Sequence, residues 1–195
     1  MRTHTATLIG LFFSLCNILA AHAEDDEPNL FFQGDKEALF WFDDTFSIKV
    51  LDGVEGGCLP QPDNLKTKME VSLRQAGFAI ADEPSLLLPE VIIYPFGYAI
   101  DGGCSVVITT EIRKYVIATV PFSHDYGADG NLGNTLVLVR HTVSDNMLTG
   151  SKSGMQRRLE DMVRDHGDQI YLFIARSKDF MRSKFPKIIQ RHEAL

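Results

Sequence analysis

The stretch Ser123-His124-Asp125-Tyr126-Gly127-Ala128-Asp129-Gly130-Asn131 gathers the residue types from which hard-cation sites are built. Counted from Asp125, the carboxylate and amide oxygens of Asp125, Asp129 and Asn131 around Gly130 imitate the start of a calcium loop. Such a loop also needs Asp or Asn at its third position and a bidentate Glu at its twelfth. Those places hold Gly127 and Leu136. Asp, Gly and Asn favour turns on their own account, so the stretch reads as a solvated connection between two strands. No metal ligand is assigned.

Four histidines, at 124, 141, 166 and 192, could move protons near neutral pH. None stands in a nucleophile setting: the sequence has no Gly-x-Ser-x-Gly, no His-Glu-x-x-His, no Gly-x-x-x-x-Gly-Lys and no Gly-x-Gly-x-x-Gly. His166 falls on an apolar helical stripe and reads as a packing residue. No catalytic residue and no cofactor are assigned. The alternative to a non-catalytic protein is a small metal-dependent or hydrolytic enzyme using the 123–131 loop with His141.

Cysteine chemistry is better defined. Cys16 lies in the N-terminal apolar segment, which leaves Cys58 and Cys104, each following a Gly-Gly pair that lets the backbone bend and approach closely. Two thiols in an oxidising compartment pair, and closing a loop of this length is worth about 4 kcal/mol in the chain-entropy account. A redox pair wants Cys-x-x-Cys and structural zinc wants four ligands, so a structural disulfide is expected.

The elements that position these residues follow from periodicity. Phe46, Ile48 and Val50 alternate as in a half-buried strand, after the aromatic run Leu39-Phe40-Trp41-Phe42, in which Trp41 is expected to pack a core edge. Leu65, Met69, Leu73 and Ala76 share one face of a helix with Asp63 as its N-cap and Gly77 as its positive-φ terminator. Pro89 to Tyr94 reads as a strand broken or bulged at Pro95 and Gly97. Ser105 to Ile112 is β-branched and continues through Tyr115 to Val120, and Thr135 to Val143 supplies the next strand. From about Ser153 to about Arg182, Met155, Leu159, Met162, Val163, His166, Ile170, Phe173 and Ile174 repeat at helical spacing, with Gly167 as a weak point. The order β-α-β-β-β-α predicts an α+β two-layer sandwich: a largely antiparallel sheet of about 4–5 strands with two helices on one face.

At the N-terminus, Arg2 and His4 precede an apolar run ending at Ala21-His22-Ala23, before Glu24-Asp25-Asp26-Glu27. This is the pattern of a secretory signal peptide, too short and too abruptly acid-flanked for a membrane span. The expected organisation is a leader over 1–23, an acidic arm over 24–37, one domain over 38–183 and a basic-apolar tail over 184–195. Loss of Arg2 with the leader would take the formal net charge of −7 one unit lower, which disfavours nonspecific nucleic-acid binding. No transmembrane segment is expected after cleavage, and the expected location is periplasmic or secreted. In the tail, Lys184, Phe185, Lys187, Ile188 and Arg191 interleave charge with apolar bulk and form a candidate partner-binding surface.

The helix end Leu73-Arg74-Gln75-Ala76-Gly77, ahead of a meander and a final amphipathic helix over Met155 to Phe180, resembles small secreted bacterial proteins of unknown function. It is also similar to the amino-terminal α+β domain of TolB-type periplasmic proteins. The resemblance implies an interaction module and carries over no functional residue. The expected partner is an envelope or extracellular protein, with a homodimer built on an exposed sheet edge as a further possibility.

Overall fold

A computed structural model of the chain describes residues 37–121 and 132–193. The leader, the acidic arm up to residue 36 and the 123–131 loop with His124 lie outside the described residues. The elements are α1 (Glu37–Phe40), β1 (Thr45–Val50), β2 (Gly53–Val54), α2 (Asp63–Gln75), β3 (Ala79–Ile80), β4 (Glu90–Ile100), β5 (Gly103–Pro121), β6 (Leu132–Gly150), α3 (Lys152–Lys184) and α4 (Pro186–Glu193).

The strands form one sheet in the order β3-β1-β4-β5-β6, with β2 beside β4. The long strands β4, β5 and β6 pair antiparallel. The meander expectation did not foresee the parallel part: β1 pairs parallel with β3 and β4, and β2 with β4. Helix α2 carries the chain back to the end of the sheet where it began, so β3 enters alongside β1 in the same direction.

One face of the sheet is covered. Phe46, Ile48, Val91, Ile93, Val106, Ile108 and Ile112 form a single core with Leu65, Met69 and Leu73 of α2 and Met155, Leu159, Val163, Ile170 and Ile174 of α3. The α+β sandwich with both long helices on one face therefore stands. Gln61, just before α2, and Gln156 of α3 clasp the two helices, each bonding to the other's segment: the Gln61 backbone N–H donates to Gln156 Oε1 at 3.1 Å, and Gln156 Nε2 donates to the Gln61 carbonyl at 3.0 Å.

Several local expectations change. Pro62 occupies the N-cap of α2 with no side-chain capping bond, and Asp63 is the first helical residue. Proline suits a helix start because its missing N–H has no intrahelical partner there. Gly77 does end this helix, with φ +93°. Pro95 and Gly97 do not break β4. Pro95 stands opposite the gap between β1, which ends against Ile93, and β2, which starts against Phe96, so its missing donor falls where the ladder is already interrupted. Gly97 is required by close approach, since an added Cβ would overlap the Ser105 carbonyl and Val106.

Gly167 is no weak point of α3, which runs unbroken through it. It is where α2 crosses: a Cβ there would overlap Ser72, whose hydroxyl donates to the Arg164 carbonyl at 3.2 Å. Strand β6 extends through Ser144–Gly150, a stretch rich in turn formers, because β5 offers it a partner throughout. A bulge at Val143 adjusts the register, with Thr110 opposite Ser144 and Glu111 opposite Thr142. Finally, residues 186–193 fold as α4, whose Ile189 is buried.

Candidate functional site

Cys58 and Cys104 form a disulfide with Cα atoms 5.9 Å apart, tying the loop before α2 to the start of β5. The described histidines lie apart in function. The buried His166 bonds through Nδ1 to Thr110 Oγ1 at 2.8 Å and through Nε2 to Asn146 Nδ2 at 3.0 Å. With the Asn146 amide donating to Nε2, the ring proton sits on Nδ1 and is donated to Thr110. Burial pulls the pKa down to about 4, so the ring is neutral and has no lone pair to spare for catalysis. His141 stacks on Phe173 at 3.9 Å, and His192 meets the edge of Trp41 at 5.0 Å. Among the described residues, no three His, Cys, Asp or Glu side chains converge as a metal site would require.

Of the tail residues, Lys184, Lys187 and Arg191 are exposed, while Phe185 and Ile188 are half-buried. Phe185 lies 6.2 Å from the Phe180 ring. The tail thus rests its apolar side on the domain and presents its charge outward.

A buried ion pair has no signature in the sequence. Lys114 on β5 donates to Asp43 Oδ1 at 2.6 Å and to the Leu39 carbonyl at 3.2 Å, with its ammonium 3.8 Å from the Phe42 ring centre. Burial pushes Asp43 up to about 6 despite the hydrogen bond and charge of Lys114, which act the other way. Desolvation of a carboxylate that leaves Oδ2 without a partner outweighs one short contact. The pair fastens the α1–β1 connection to β5 and faces the core, so it serves structure.

The face of the sheet opposite the helices is different. Alternation along β4, β5 and β6 turns Phe96, Tyr98, Tyr115, Ile117, Leu136 and Met147 outward, and Phe96, Ile117 and Met147 remain 67%, 63% and 66% exposed. Beyond Arg113, β5 has no β4 partner, and 114–121 pair with 132–139 as a two-stranded ribbon carrying Tyr115, Ile117, Leu136 and Val137 exposed. Among the described residues, no strand pairs with the outer edge of β6.

In one rung of the same face, Ser47, Glu90, Arg113 and Arg140 lie opposite one another on β1, β4, β5 and β6. Arg113 donates through Nε to Glu111 at 3.2 Å and lies 5.2 Å above the Tyr94 ring. Burial, and then the neighbouring Arg140 charge, lower its pKa. Ser47 is 4% exposed and its hydroxyl has no partner. Over this rung lies a hollow of about 250 Å³ lined by Ser47, Glu90, Arg113, Leu86, Tyr115 and Leu138. Period-two alternation could have placed these residues on one face, but the pairing that aligns them could not be read from sequence.

No protein-family model matches the chain, and no curated protein matches it. Solved structures with some likeness include a minor lipoprotein from Acinetobacter baumannii, at 13% identity over 66% of this chain and 91% of that one, with a TM-score of 0.30. An uncharacterized protein is similar at 13% identity over 68% of this chain and 99% of that one, also with a TM-score of 0.30. Neither is described as a TolB-type protein.

Proposed function

We propose that the protein is an extracytoplasmic, non-catalytic binding module that takes an extended segment of another envelope or extracellular protein as an added strand on β6. The observation that carries this reading is the edge of the ribbon. Residues 132–139, Leu-Gly-Asn-Thr-Leu-Val-Leu-Val, contain no charge and no proline, and no described strand pairs with their outer side. Edge strands are ordinarily blunted by Lys, Pro or a bulge, and here the charges and the bulge come only from Arg140 onward. Main-chain groups of such an edge supply affinity, and the exposed Leu136 and Val137 supply selectivity toward alternate side chains of the partner. The leader-like N-terminus and the Cys58–Cys104 disulfide support a location outside the cytoplasm.

Crosslinking of the native protein in its own cells, followed by affinity capture, tests the reading. A reproducible partner should be lost with Leu136→Lys and Val137→Lys while the domain stays folded. Capture that persists in both variants would sink the ribbon's role. Sedimentation at two concentrations separates a foreign partner from a second copy pairing through the same edge.

A further inference from the structure

From the hollow on the sheet face opposite the helices, we infer a binding site for a small zwitterion with an apolar side chain, an apolar α-amino acid. The hollow is about 250 Å³, below the range of drug-sized sites. Its polar floor holds one anion and one cation in direct register, Glu90 opposite Arg113, where facing side chains start about 5 Å apart. A lone anion would meet Glu90, and a lone cation would meet Arg113. A molecule with an ammonium next to a carboxylate satisfies both.

Two further features favour a zwitterion, one at Arg113 and one beside Glu90. The guanidinium is held over the Tyr94 ring with Nε bonded to Glu111, and its two terminal nitrogens are the donors a ligand carboxylate would use. On the other side of Glu90 stands Ser47, 4% exposed, with a hydroxyl that has no partner. Buried hydroxyls are ordinarily bonded, and a ligand ammonium drawn to the adjacent Glu90 would donate to this one. Leu86, Leu88, Tyr115 and Leu138 supply the apolar wall, which an aliphatic or aromatic side chain would cover.

The inference is independent of the strand-addition reading, because its polar contacts lie on β1, β4 and β5, and it shares with the β6 edge only the side chain of Leu138. Thermal melting and calorimetry of the full chain with L-leucine and L-phenylalanine test it. A saturable upward shift of the melt is expected with both, and little or none with leucinamide, which lacks the carboxylate, or N-acetylleucine, which lacks the ammonium. Arg113→Gln and Ser47→Ala should each weaken leucine binding about tenfold or more, the usual effect of losing a hydrogen bond to a charged group. Glu90→Gln should weaken leucine and strengthen N-acetylleucine, since it removes the charge that repels an acid. Should Arg113→Gln fail to fold cooperatively, the Ser47→Ala and Glu90→Gln results decide. Absence of any shift, equal shifts for the three leucine forms, or leucine binding untouched by these substitutions would overturn the assignment.

Discussion

Lys114 Nζ lies 2.6 Å from Asp43 Oδ1, and both side chains are almost wholly withdrawn from water although 71 residues separate them in the chain. Removing one partner strands the other. Lys114→Met should therefore destabilise the domain by about 3–5 kcal/mol. Combined with Asp43→Asn the loss should be much smaller, because the uncompensated charge is gone. Denaturant unfolding of the two single variants and the double variant checks this, and additive losses would contradict it.

Acidification acts on two buried groups in opposite directions. Asp43 titrates near 6 in the folded chain against a reference of 3.8. The folded state then holds the extra proton, so this group's contribution is complete below about pH 4 and is lost as pH rises through 6. His166 titrates near 4 against a reference of 6.5, so its contribution is complete above about pH 6.5 and is lost as pH falls toward 4. Each is worth roughly 3 kcal/mol at 1.36 kcal/mol per pKa unit. Between pH 4 and 6 they should nearly cancel. Asp43→Asn should leave stability falling with acid, and His166→Gln should leave it rising. Melts of both variants over that range read the two slopes.

Gly167→Ala should destabilise. In an exposed helix interior the change would gain about 1 kcal/mol, but here the new methyl meets Ser72 Oγ and Cβ across the α2–α3 crossing. Overpacking of this kind costs about 1–3 kcal/mol. Ser72→Gly in the same chain should recover much of the loss. A stabilised Gly167→Ala variant would mean that the two helices separate easily at this point.

Reduction of Cys58–Cys104, which spans 46 residues, should lower stability by about 4 kcal/mol. Unfolding with and without reductant measures it, and coincident transitions would refute it.

What the sequence revealed was the set of elements that carry their own period. Leu65, Met69, Leu73 and Gly77 mark a helix and its end without help from elsewhere, and so do the apolar positions of α3 and the β-branched run of β5. Features created by pairing were hidden. Ser144–Gly150 is a strand because β5 lies beside it. His166 reads as a helix-stripe residue, yet Thr110 and Asn146 fix its tautomer from two strands of the sheet. Ser47, Glu90, Arg113 and Arg140 are four unremarkable polar residues until the register lines them up. The candidate site therefore owes almost everything to long-range alignment, which periodicity cannot report.

The disulfide also gives β5 two unlike ends. Cys104 is covalently fixed at one end, next to Gly103, whose backbone is pressed against Gly150. At the other end, from Lys114 to Pro121, the strand is held by β6 as its one partner strand among the described residues. Along a single strand, amide hydrogens should therefore exchange in a graded series, slowest near Cys104 and quickest toward Val120. The stiff end acts as a clamp, and Lys114 and Val139 are the last ribbon residues packed on the core, so the ribbon is cantilevered from there.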